Sequence, residues 1–233
     1  IDINGLVWMG DKAAMEKQIR EKLESGFTVV KLKIGAIDFE TEMALLKSIR
    51  NNFGPSEIEI RVDANGAFST DEAMEKLKRL SEYSIHSIEQ PIRQGQPEAM
   101  AQLCESSPVA IALDEELIGL TRLDDRVNLL EAVKPQYLIF KPSLIGGIRS
   151  CNEWIDLCQK NEIGWWITSA LESNVGLNAI AQYAYTLNNP MTQGLGTGGL
   201  FTNNIQSPLK VENGALHYDP RLKWGDPNRL FGE

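Results

Sequence analysis

The stretch FTVVKLKIGAIDFETEMALLKSIRNNFGPSEIEIRVDAN, residues 27–65, contains one complete unit of the pattern that decides the fold. A β-rich run (27–35) precedes a run with apolar residues at three- to four-residue spacing (37–54), and a second β-rich run (57–65) follows. The outer runs predict buried strands, and the middle run predicts an amphipathic helix. Two strands joined by a helix in this way are typical of a parallel sheet.

The same alternation extends along the whole chain without a linker or a low-complexity segment. Further strands are predicted at residues 3–8, 85–91, 108–115, 137–143, 164–170 and 192–196, and further helices at 11–26, 69–83, 96–106, 120–133, 147–161 and 174–187. Ser69 and Glu72 form a Ser-x-x-Glu capping box at the start of one helix. Eight strands and seven helices predict a closed α/β barrel. The alternative, an open doubly wound sheet, lacks a glycine-rich phosphate turn here.

The charge and composition argue against several classes of protein. The chain has 23 Lys and Arg against 32 Asp and Glu, a net charge of −9, which disfavours binding to nucleic acid or to an anionic membrane surface. No apolar run approaches the ~20 residues of a membrane span, and the first residues lack the basic flank of a signal peptide. Cys104, Cys151 and Cys158 form no CxxC pair, so we expect small buried thiols in a reducing compartment, the cytoplasm.

Polar residues stand at the carboxyl ends of five consecutive predicted strands. They are Lys31 and Lys33, Asp63 and Asn65, Glu89, Asp114, and Lys141. The spacings from Lys33 onward are 30, 26, 25 and 27 residues, about one strand–helix unit each. In a parallel barrel this regular spacing brings the side chains to one rim, which is where barrel enzymes carry their chemistry.

Three of these residues, Asp63, Glu89 and Asp114, are carboxylates on adjacent predicted strands. Three carboxylates that converge in a half-buried mouth repel one another unless a cation lies between them. All-oxygen ligands suit Mg²⁺, with Mn²⁺ as a substitute, better than zinc or iron. The alternative, that each acid only caps the helix that follows, explains a single acid better than three at matched positions.

The lysines flank this arc of carboxylates. Lys31 and Lys33 are two residues apart on one strand, so they share a face, while Leu32 and Ile34 point towards the helices. Two buried lysines beside a dication should lower the pKa of one of them, which supplies a neutral base near pH 7. Lys141 lies across the mouth. For each lysine taken alone, the alternative is an ordinary solvated charge.

In this order the motifs resemble the enolase superfamily, in particular its muconate-lactonising branch. They are Lys-Leu-Lys (31–33), Asp-Ala-Asn (63–65), Glu-Gln-Pro (89–91), Asp-Glu (114–115), Lys-Pro-Ser (141–143) with Gly146-Gly147, and SALESNVG (169–176). The resemblance covers essentially the whole chain and implies a modified TIM-type (β/α)7β catalytic barrel over residues 1–233. It also implies Mg²⁺ on Asp63, Glu89 and Asp114, with acid and base lysines at Lys33 and Lys141. Family members carry an N-terminal α+β capping domain, which we expect to be absent from this chain because it begins at the first predicted strand.

Within this branch, the segments GLGTGGLFTNNI (194–205) and NGALHYDP (213–220) resemble the end of the o-succinylbenzoate synthase family. That resemblance implies a dehydration in menaquinone biosynthesis, in which 2-succinyl-6-hydroxycyclohexadiene carboxylate loses water to give 2-succinylbenzoate. In this reaction Mg²⁺ stabilises an enediolate, and Lys33 removes the α-proton and returns it to the departing hydroxide. Lys141 stays protonated opposite, and Lys31 lowers the pKa of Lys33 and contacts the substrate carboxylate.

Four residues near the last two predicted strand ends are candidates for binding the succinyl carboxylate, partly through backbone N–H groups: Ser169, Glu172, Gly194 and Gly196. Asn65 shares a face with Asp63 and is a candidate for supporting the metal ligands. The alternative for all five residues is ordinary loop and cap chemistry.

Two other classes of function stay open. An N-acylamino-acid racemase, a dipeptide epimerase or a cycloisomerase would use the same lysines, although GTGGLFTNN (196–204) lacks the Asp-x-Asp of dipeptide epimerases. A non-catalytic, metal-stabilised barrel is the alternative outside enzymes. The expected partner is a small-molecule carboxylate substrate, without nucleic acid or membrane, and a homo-oligomer is compatible with the sequence.

Overall fold

A parallel sheet of seven strands, in sequential order β1 to β7, organises the structure. The structure is a computed structural model that describes residues 1–226 and 228. The strands are β1 Gly5–Val7, β2 Val29–Lys33, β3 Glu59–Asp63, β4 Ser87–Glu89, β5 Ala110–Leu113, β6 Tyr137–Phe140 and β7 Gly164–Ile167. Each of them matches a strand predicted from the sequence.

Residues 193–194 close the sheet into a barrel. Gln193 pairs in parallel with Ile3, and Gly194 pairs in parallel with Thr168, just past β7. The amide of Asn4 donates to the Gln193 carbonyl (2.9 Å), and the amide of Gly194 donates to the Ile167 carbonyl (2.8 Å). The predicted eighth strand therefore lies in its predicted place between β7 and β1, shortened to two bridging residues. The predicted (β/α)7β barrel is therefore confirmed.

Helices connect the strands on the outside of the barrel. They are α1 Lys12–Glu24, α2 Phe39–Asn52, α3 Thr70–Ser81, α4 Pro97–Ser106, α5 Leu123–Val133, α6 Pro142–Ile145, α7 Gly147–Lys160 and α8 Asn174–Thr186. The predicted capping box of α3 is present, and Glu72 Oε1 accepts the Ser69 amide at 3.2 Å. The one-turn α6 is an addition to the seven predicted helices. None of the helices in the described part of the chain is both long enough and apolar enough to cross a bilayer.

The alternation of each strand separates an apolar outer layer from a polar interior. Leu32 and Ile34 are buried in the core between sheet and helices, whereas Lys31 and Lys33 face inward, as predicted. The three cysteines are unpaired and buried in the same outer core, and burial raises each thiol pKa to about 12. These groups are therefore inert packing residues, in agreement with the sequence prediction.

An antiparallel hairpin that the sequence analysis missed follows the barrel. Its strands are β8 Leu209–Glu212 and β9 Ala215–Tyr218, joined by Asn213 and Gly214 at positive φ (49° and 70°). Asn-Gly is the two-residue sequence that this type of turn requires, so the signal was present. The Gly214 carbonyl accepts the Ile3 amide (2.9 Å), so the hairpin packs against the first residues of the barrel.

Candidate active site at the carboxyl ends of the strands

Strand register brings the predicted polar residues to one level of the barrel interior. Lys33 pairs with Asp63, and Asp63 pairs with Glu89 on the next strand. Asp114 and Lys141 directly follow the ends of β5 and β6. The regular spacing in the sequence therefore produces the predicted ring of charges at the carboxyl-terminal rim.

Lys31 lies between two of the carboxylates. Its Nζ is 2.9 Å from Asp63 Oδ2 and also donates to Glu89 Oε2. Burial alone would lower the pKa of Lys31, but the charges of Asp63 and Glu89 outweigh burial and raise that pKa. The predicted decrease in a lysine pKa depended on a neighbouring dication, whereas the carboxylates by themselves shift the pKa of Lys31 the other way.

Asp63 is fully buried and carries its charge because two lysines surround it. Lys33 Nζ donates to Asp63 Oδ2 at 2.6 Å, on the same oxygen that faces Lys31. Burial opposes ionisation of Asp63, but Lys31 and Lys33 together lower its pKa.

Asn65 connects Lys33 to the next loop. Its Oδ1 accepts from Lys33 Nζ (2.8 Å), its Nδ2 donates to Glu115 Oε1 (2.9 Å), and its amide donates to Asp63 Oδ1 (3.0 Å). The left-handed backbone of Asn65 (φ 44°) turns the chain so that these three contacts coexist. Asn65 thus supports the lysine and the carboxylates, as its shared face with Asp63 suggested.

Lys141 approaches the ring from β6 and donates to Asp114 Oδ2. Burial lowers the pKa of Lys141, but Asp114 and then Glu89 raise it by more. Asp114 is also held through its amide, which donates to Gln90 Oε1 (3.4 Å). Gln90 is completely buried directly after Glu89, so it links the loops after β4 and β5.

A cavity of about 230 Å³ opens above this ring, and all three lysines line it. Ser169, Gly194 and Gly196, the predicted substrate-binding candidates, also line it, on the side of β7 and residues 193–194. Thr168 and Thr197 stand beside them: Thr168 Oγ1 donates to the Gly194 carbonyl (2.8 Å), and the hydroxyls of Ser169 and Thr197 share a hydrogen bond. A Cβ on Gly194 would lie 2.4 Å from Thr168 Oγ1, so this position requires glycine.

Glu172 and Asn65 lie outside the lining of this cavity. Glu172 Oε2 accepts the amide of Ala170 (2.8 Å), and Oε1 accepts from Ser143, so the carboxylate is used within the loop that it belongs to. Since Ser143 lies in α6, Glu172 joins its own loop to α6, and these contacts agree better with a structural role than with direct substrate binding.

The side of the cavity formed by the first strand was not predicted from the sequence. Asn4, Leu6 and Trp8 alternate along β1 and its ends, and all three line the cavity. The two-residue period of INGLVW could have identified this face. Asn4 Oδ1 and Trp8 Nε1 are buried without a hydrogen-bond partner in the described part of the chain.

Comparison with known proteins agrees with this geometry. Residues 14–222 match the Enolase C-terminal domain-like family. This chain belongs to that family. It is 57% identical over 216 residues to an o-succinylbenzoate synthase of Desulfotalea psychrophila, covering 93% of this chain and 58% of that protein.

This enolase-type barrel is also similar to a solved structure and to an epimerase. A crystal structure of MenC from Desulfotalea psychrophila LSv54 has a TM-score of 0.86 at 56% identity, covering 93% of this chain and 60% of that one. An L-amino acid-D/L-Glu epimerase of Francisella philomiragia is 27% identical, covering 75% of this chain and 48% of that protein. The chain thus spans about half to three-fifths of the length of these relatives.

The residues of this enolase-type site fit a divalent cation. Burial first, and then the charge of Asp63, raises the pKa of Glu89 well above its ordinary value. Glu89 Oε1 is buried without a partner among the described residues. Among residues 1–226 and 228 no three acidic, histidine or cysteine side chains stand at ligand spacing. Lys31 contacts both Asp63 and Glu89, and Lys141 contacts Asp114. The donor set, all oxygen and in excess of negative charge, is the chemistry that Mg²⁺ prefers.

Proposed function

We propose that this chain is the barrel of a Mg²⁺-dependent dehydratase that converts 2-succinyl-6-hydroxycyclohexadiene carboxylate into 2-succinylbenzoate, a step of menaquinone biosynthesis. The observation that carries the proposal is one cavity lined by three lysines above three buried carboxylates. The 57% identity to an o-succinylbenzoate synthase supports this choice of substrate.

Asp63, Glu89 and Asp114 would hold the metal ion, and Mn²⁺ would serve as a substitute. When bound, the cation supplies a positive charge at the substrate carboxylate, which makes the neighbouring C–H bond more acidic. The three side chains come from adjacent strands, and Gln90 and Asn65 hold the backbone and the carboxylates that surround them.

Lys33 is the proposed base. Its Nζ faces the cavity and takes the α-proton, and the C–H electron pair moves into the ring system. The same ammonium then gives a proton to the departing hydroxyl, so the C–O bond breaks, water leaves and the ring becomes aromatic. Lys31 adds positive charge beside the substrate carboxylate and is a second binding contact for it.

Lys141 faces the substrate from the opposite side. β2 and β6 are four strands apart in a barrel of eight strand positions, so Lys33 and Lys141 approach the cavity from opposite walls. In a dehydration Lys141 stays protonated and contributes charge only.

The far wall of the cavity suits the succinyl carboxylate. Ser169, Gly194 and Gly196 offer a hydroxyl and exposed backbone there, and the lining contains no acidic side chain among the described residues. A dianionic substrate therefore meets only positive or neutral groups in the cavity. Asn65 acts through Lys33, and Glu172 shapes the neighbouring loop.

A racemase or epimerase acting on an N-acylated amino acid or a dipeptide is the second candidate. It is favoured by the two lysines on opposite walls, because racemisation requires a base on each face of the α-carbon, and the Francisella epimerase is a relative. The absence of an acid from the described cavity lining disfavours a substrate with a free ammonium group.

The deciding experiment uses the complete protein with Mg²⁺ in D₂O. We expect ultraviolet absorption of an aromatic product from the cyclohexadiene substrate. Each enantiomer of an N-succinylamino acid is incubated in parallel. Racemisation with deuterium incorporation from both faces, and no aromatic product, would replace the dehydratase by the second candidate. Inactivity on every substrate with an α-proton would favour a non-catalytic, metal-stabilised barrel.

The Lys141→Arg variant separates the same two reactions. Arginine keeps the charge but does not exchange a proton at neutral pH. A dehydratase should retain measurable activity, whereas a two-base racemase should lose it.

Three further assignments belong to this proposal. Residues 1–233 form one catalytic domain, the protein acts in the cytoplasm, where its three thiols stay reduced, and its partner is a small-molecule carboxylate rather than nucleic acid or membrane. A homo-oligomer is compatible with all three assignments.

A further inference from the structure

Asn4 places an unpaired polar group in the wall of the cavity. The residue is only 5% exposed, and its Oδ1 is buried without a hydrogen-bond partner in the described part of the chain. A buried amide without a partner destabilises the fold, whereas an apolar side chain of similar size would not. Its position in the cavity lining points to a partner that arrives with the ligand.

The surroundings of Asn4 locate that partner. The next inward residue on the strand, Leu6, pairs with Lys31 on one side. On the other side the amide of Asn4 donates to the Gln193 carbonyl (2.9 Å), and a Cβ on Gly196 would lie 3.4 Å from the Asn4 carbonyl. Asn4 therefore lies between the lysines and the wall formed by Gly194 and Gly196.

We propose that the Asn4 side chain is a specificity contact that donates a hydrogen bond to the carbonyl oxygen in the middle of the substrate's acyl chain. The inference rests on the proposed function. In that orientation the two carboxylates of the substrate go to the lysines and to the Ser169–Gly196 wall, and the keto oxygen is the polar group between them. The unpaired Oδ1 and the keto oxygen are both acceptors, so the contact requires the amide to turn about its Cβ–Cγ bond, which brings the N–H group to the place of Oδ1. A neutral donor there adds no further charge.

The chain contains a matched control. Asn178 also has a buried Oδ1 without a partner in the described chain, but it lies on α8 in a groove beside the β8–β9 hairpin, outside the active-site cavity. Both residues leave a buried amide oxygen without a partner in the described chain, and they differ in location. Only Asn4 should affect ligand binding.

The experiment compares two ligands that differ in one atom. The complete protein with Mg²⁺ is titrated calorimetrically with 2-succinylbenzoate and with 2-(3-carboxypropyl)benzoate. The second ligand keeps both carboxylates and replaces the keto group by methylene. We expect Asn4→Leu to weaken 2-succinylbenzoate binding about three- to tenfold and to leave binding of the methylene ligand unchanged. The melting temperature of the unliganded variant should not decrease, because an unpaired amide is removed. Asn4→Ala provides the same comparison if the leucine variant fails to fold, and Asn178→Leu should change neither affinity.

Two results are decisive in the other direction. If the unaltered protein binds 2-succinylbenzoate but Asn4→Leu and Asn4→Ala reduce the affinity for both ligands equally, or for neither, the role of Asn4 is wrong and the proposed function stands. If the unaltered protein neither binds 2-succinylbenzoate nor forms it, the proposed function fails and this inference fails with it.

Discussion

The two ends of the barrel interior both bury charged side chains, but the surroundings of these side chains differ. At the carboxyl-terminal end, Lys31, Lys33 and Lys141 contact carboxylates below an open cavity. At the amino-terminal end, Arg61 is 2% exposed beneath them, with its guanidinium 4.3 Å from the centre of the Trp166 ring.

Contacts within the protein account for the amino-terminal end. Arg61 Nε donates to Glu59 Oε1 (2.7 Å), and its NH1 donates to the Thr192 carbonyl (2.9 Å). His86 packs against Tyr137 with ring centroids 5.0 Å apart. None of these side chains has a buried polar atom without a partner within the described residues.

The carboxyl-terminal end leaves several polar atoms unsatisfied. Glu89 Oε1, Glu115 Oε2 and Asn4 Oδ1 are buried there without partners among residues 1–226 and 228. Buried polar groups normally find partners, so these three unpartnered atoms lie at the end of the barrel where we propose that the cation and the substrate bind. Buried charge alone therefore does not identify a functional site. Unmet hydrogen bonds identify one only where they cluster around a cavity, because Asn178 Oδ1 also lacks a partner among the described residues but lies away from the active-site cavity.

The largest expected effect concerns Lys33, the proposed base at the carboxyl-terminal end of the barrel. We call this the open end because the cavity opens there. Lys33→Arg should reduce turnover of the cyclohexadiene substrate about a thousandfold or more, because guanidinium keeps the charge but cannot accept the proton. Circular dichroism and Mg²⁺ binding should remain close to those of the unaltered protein. Lys17→Arg, at an exposed position on α1, is the matched control and should leave the rate unchanged. Substantial turnover by the Lys33→Arg enzyme would show that another group removes the proton.

The second prediction tests the excess negative charge of the open end by stability instead of activity. Mg²⁺ at about one hundred times its dissociation constant should raise the free energy of unfolding by about 2.7 kcal/mol, because the ion binds only the folded state. Glu89→Gln should lose this gain, as measured by urea unfolding with and without Mg²⁺. Glu75→Gln, which removes an exposed carboxylate on α3, should keep it. Equal stabilisation of the Glu89→Gln variant would remove Glu89 from the ligand set.

The third prediction concerns the amino-terminal end of the barrel, which we call the closed end because contacts within the protein satisfy its buried charges. Arg61→Met keeps the packing of the long side chain but loses the hydrogen bond to Thr192 and the contact with Trp166. We expect a loss of about 2 kcal/mol in the free energy of unfolding, with catalytic rates preserved. Arg149→Ala, on the exposed surface of α7, should have a much smaller effect. A strong decrease in kcat for Arg61→Met without a loss of stability would mean that the two ends are not separate in function.

Sequence patterns were sufficient to predict which side chains of the open end face inward and share a level, because strand periodicity and equal unit lengths determine both. Lys31 and Lys33 face inward because they are two residues apart on a strand, and equal unit lengths bring Asp63 and Glu89 to the same level. The capping box of α3 follows from local contacts alone. These features depend on short-range geometry, which the residues themselves carry.

Partner choice and long-range closure could not be predicted in the same way. The contact of Asn65 with Glu115 spans 50 residues, and the bond from Arg61 to Thr192 spans 131. The first contact depends on how the segments after β3 and β5 are oriented, and the second depends on where the barrel closes beside Gln193. Neither follows from a local pattern. The two-residue period of the first strand marks the face that carries Asn4, but what this face meets is set by residues 193–194, almost two hundred positions later.

The smallest expected effect is the pH response of the closed end. Burial lowers the pKa of His86 below 6.5, Glu59 opposes this shift, and Arg61 reinforces it. The folded state therefore favours neutral His86, and its contribution to stability is complete above pH 6.5. As the pH falls below that value, the unfolded chain takes up the proton first, so the free energy of unfolding decreases until the pH passes the pKa of the folded state.

His86→Gln should make this decrease shallower in urea unfolding between about pH 7 and about pH 5, at unchanged activity, because the residue lies at the end of the barrel away from the cavity. Glu59 and Tyr137, which also face His86, are present in both proteins, so the comparison isolates the imidazole. Identical pH slopes for the two proteins would mean that His86 is equally easy to protonate in the folded and unfolded states, so that its burial among Glu59, Arg61 and Tyr137 does not oppose the charge.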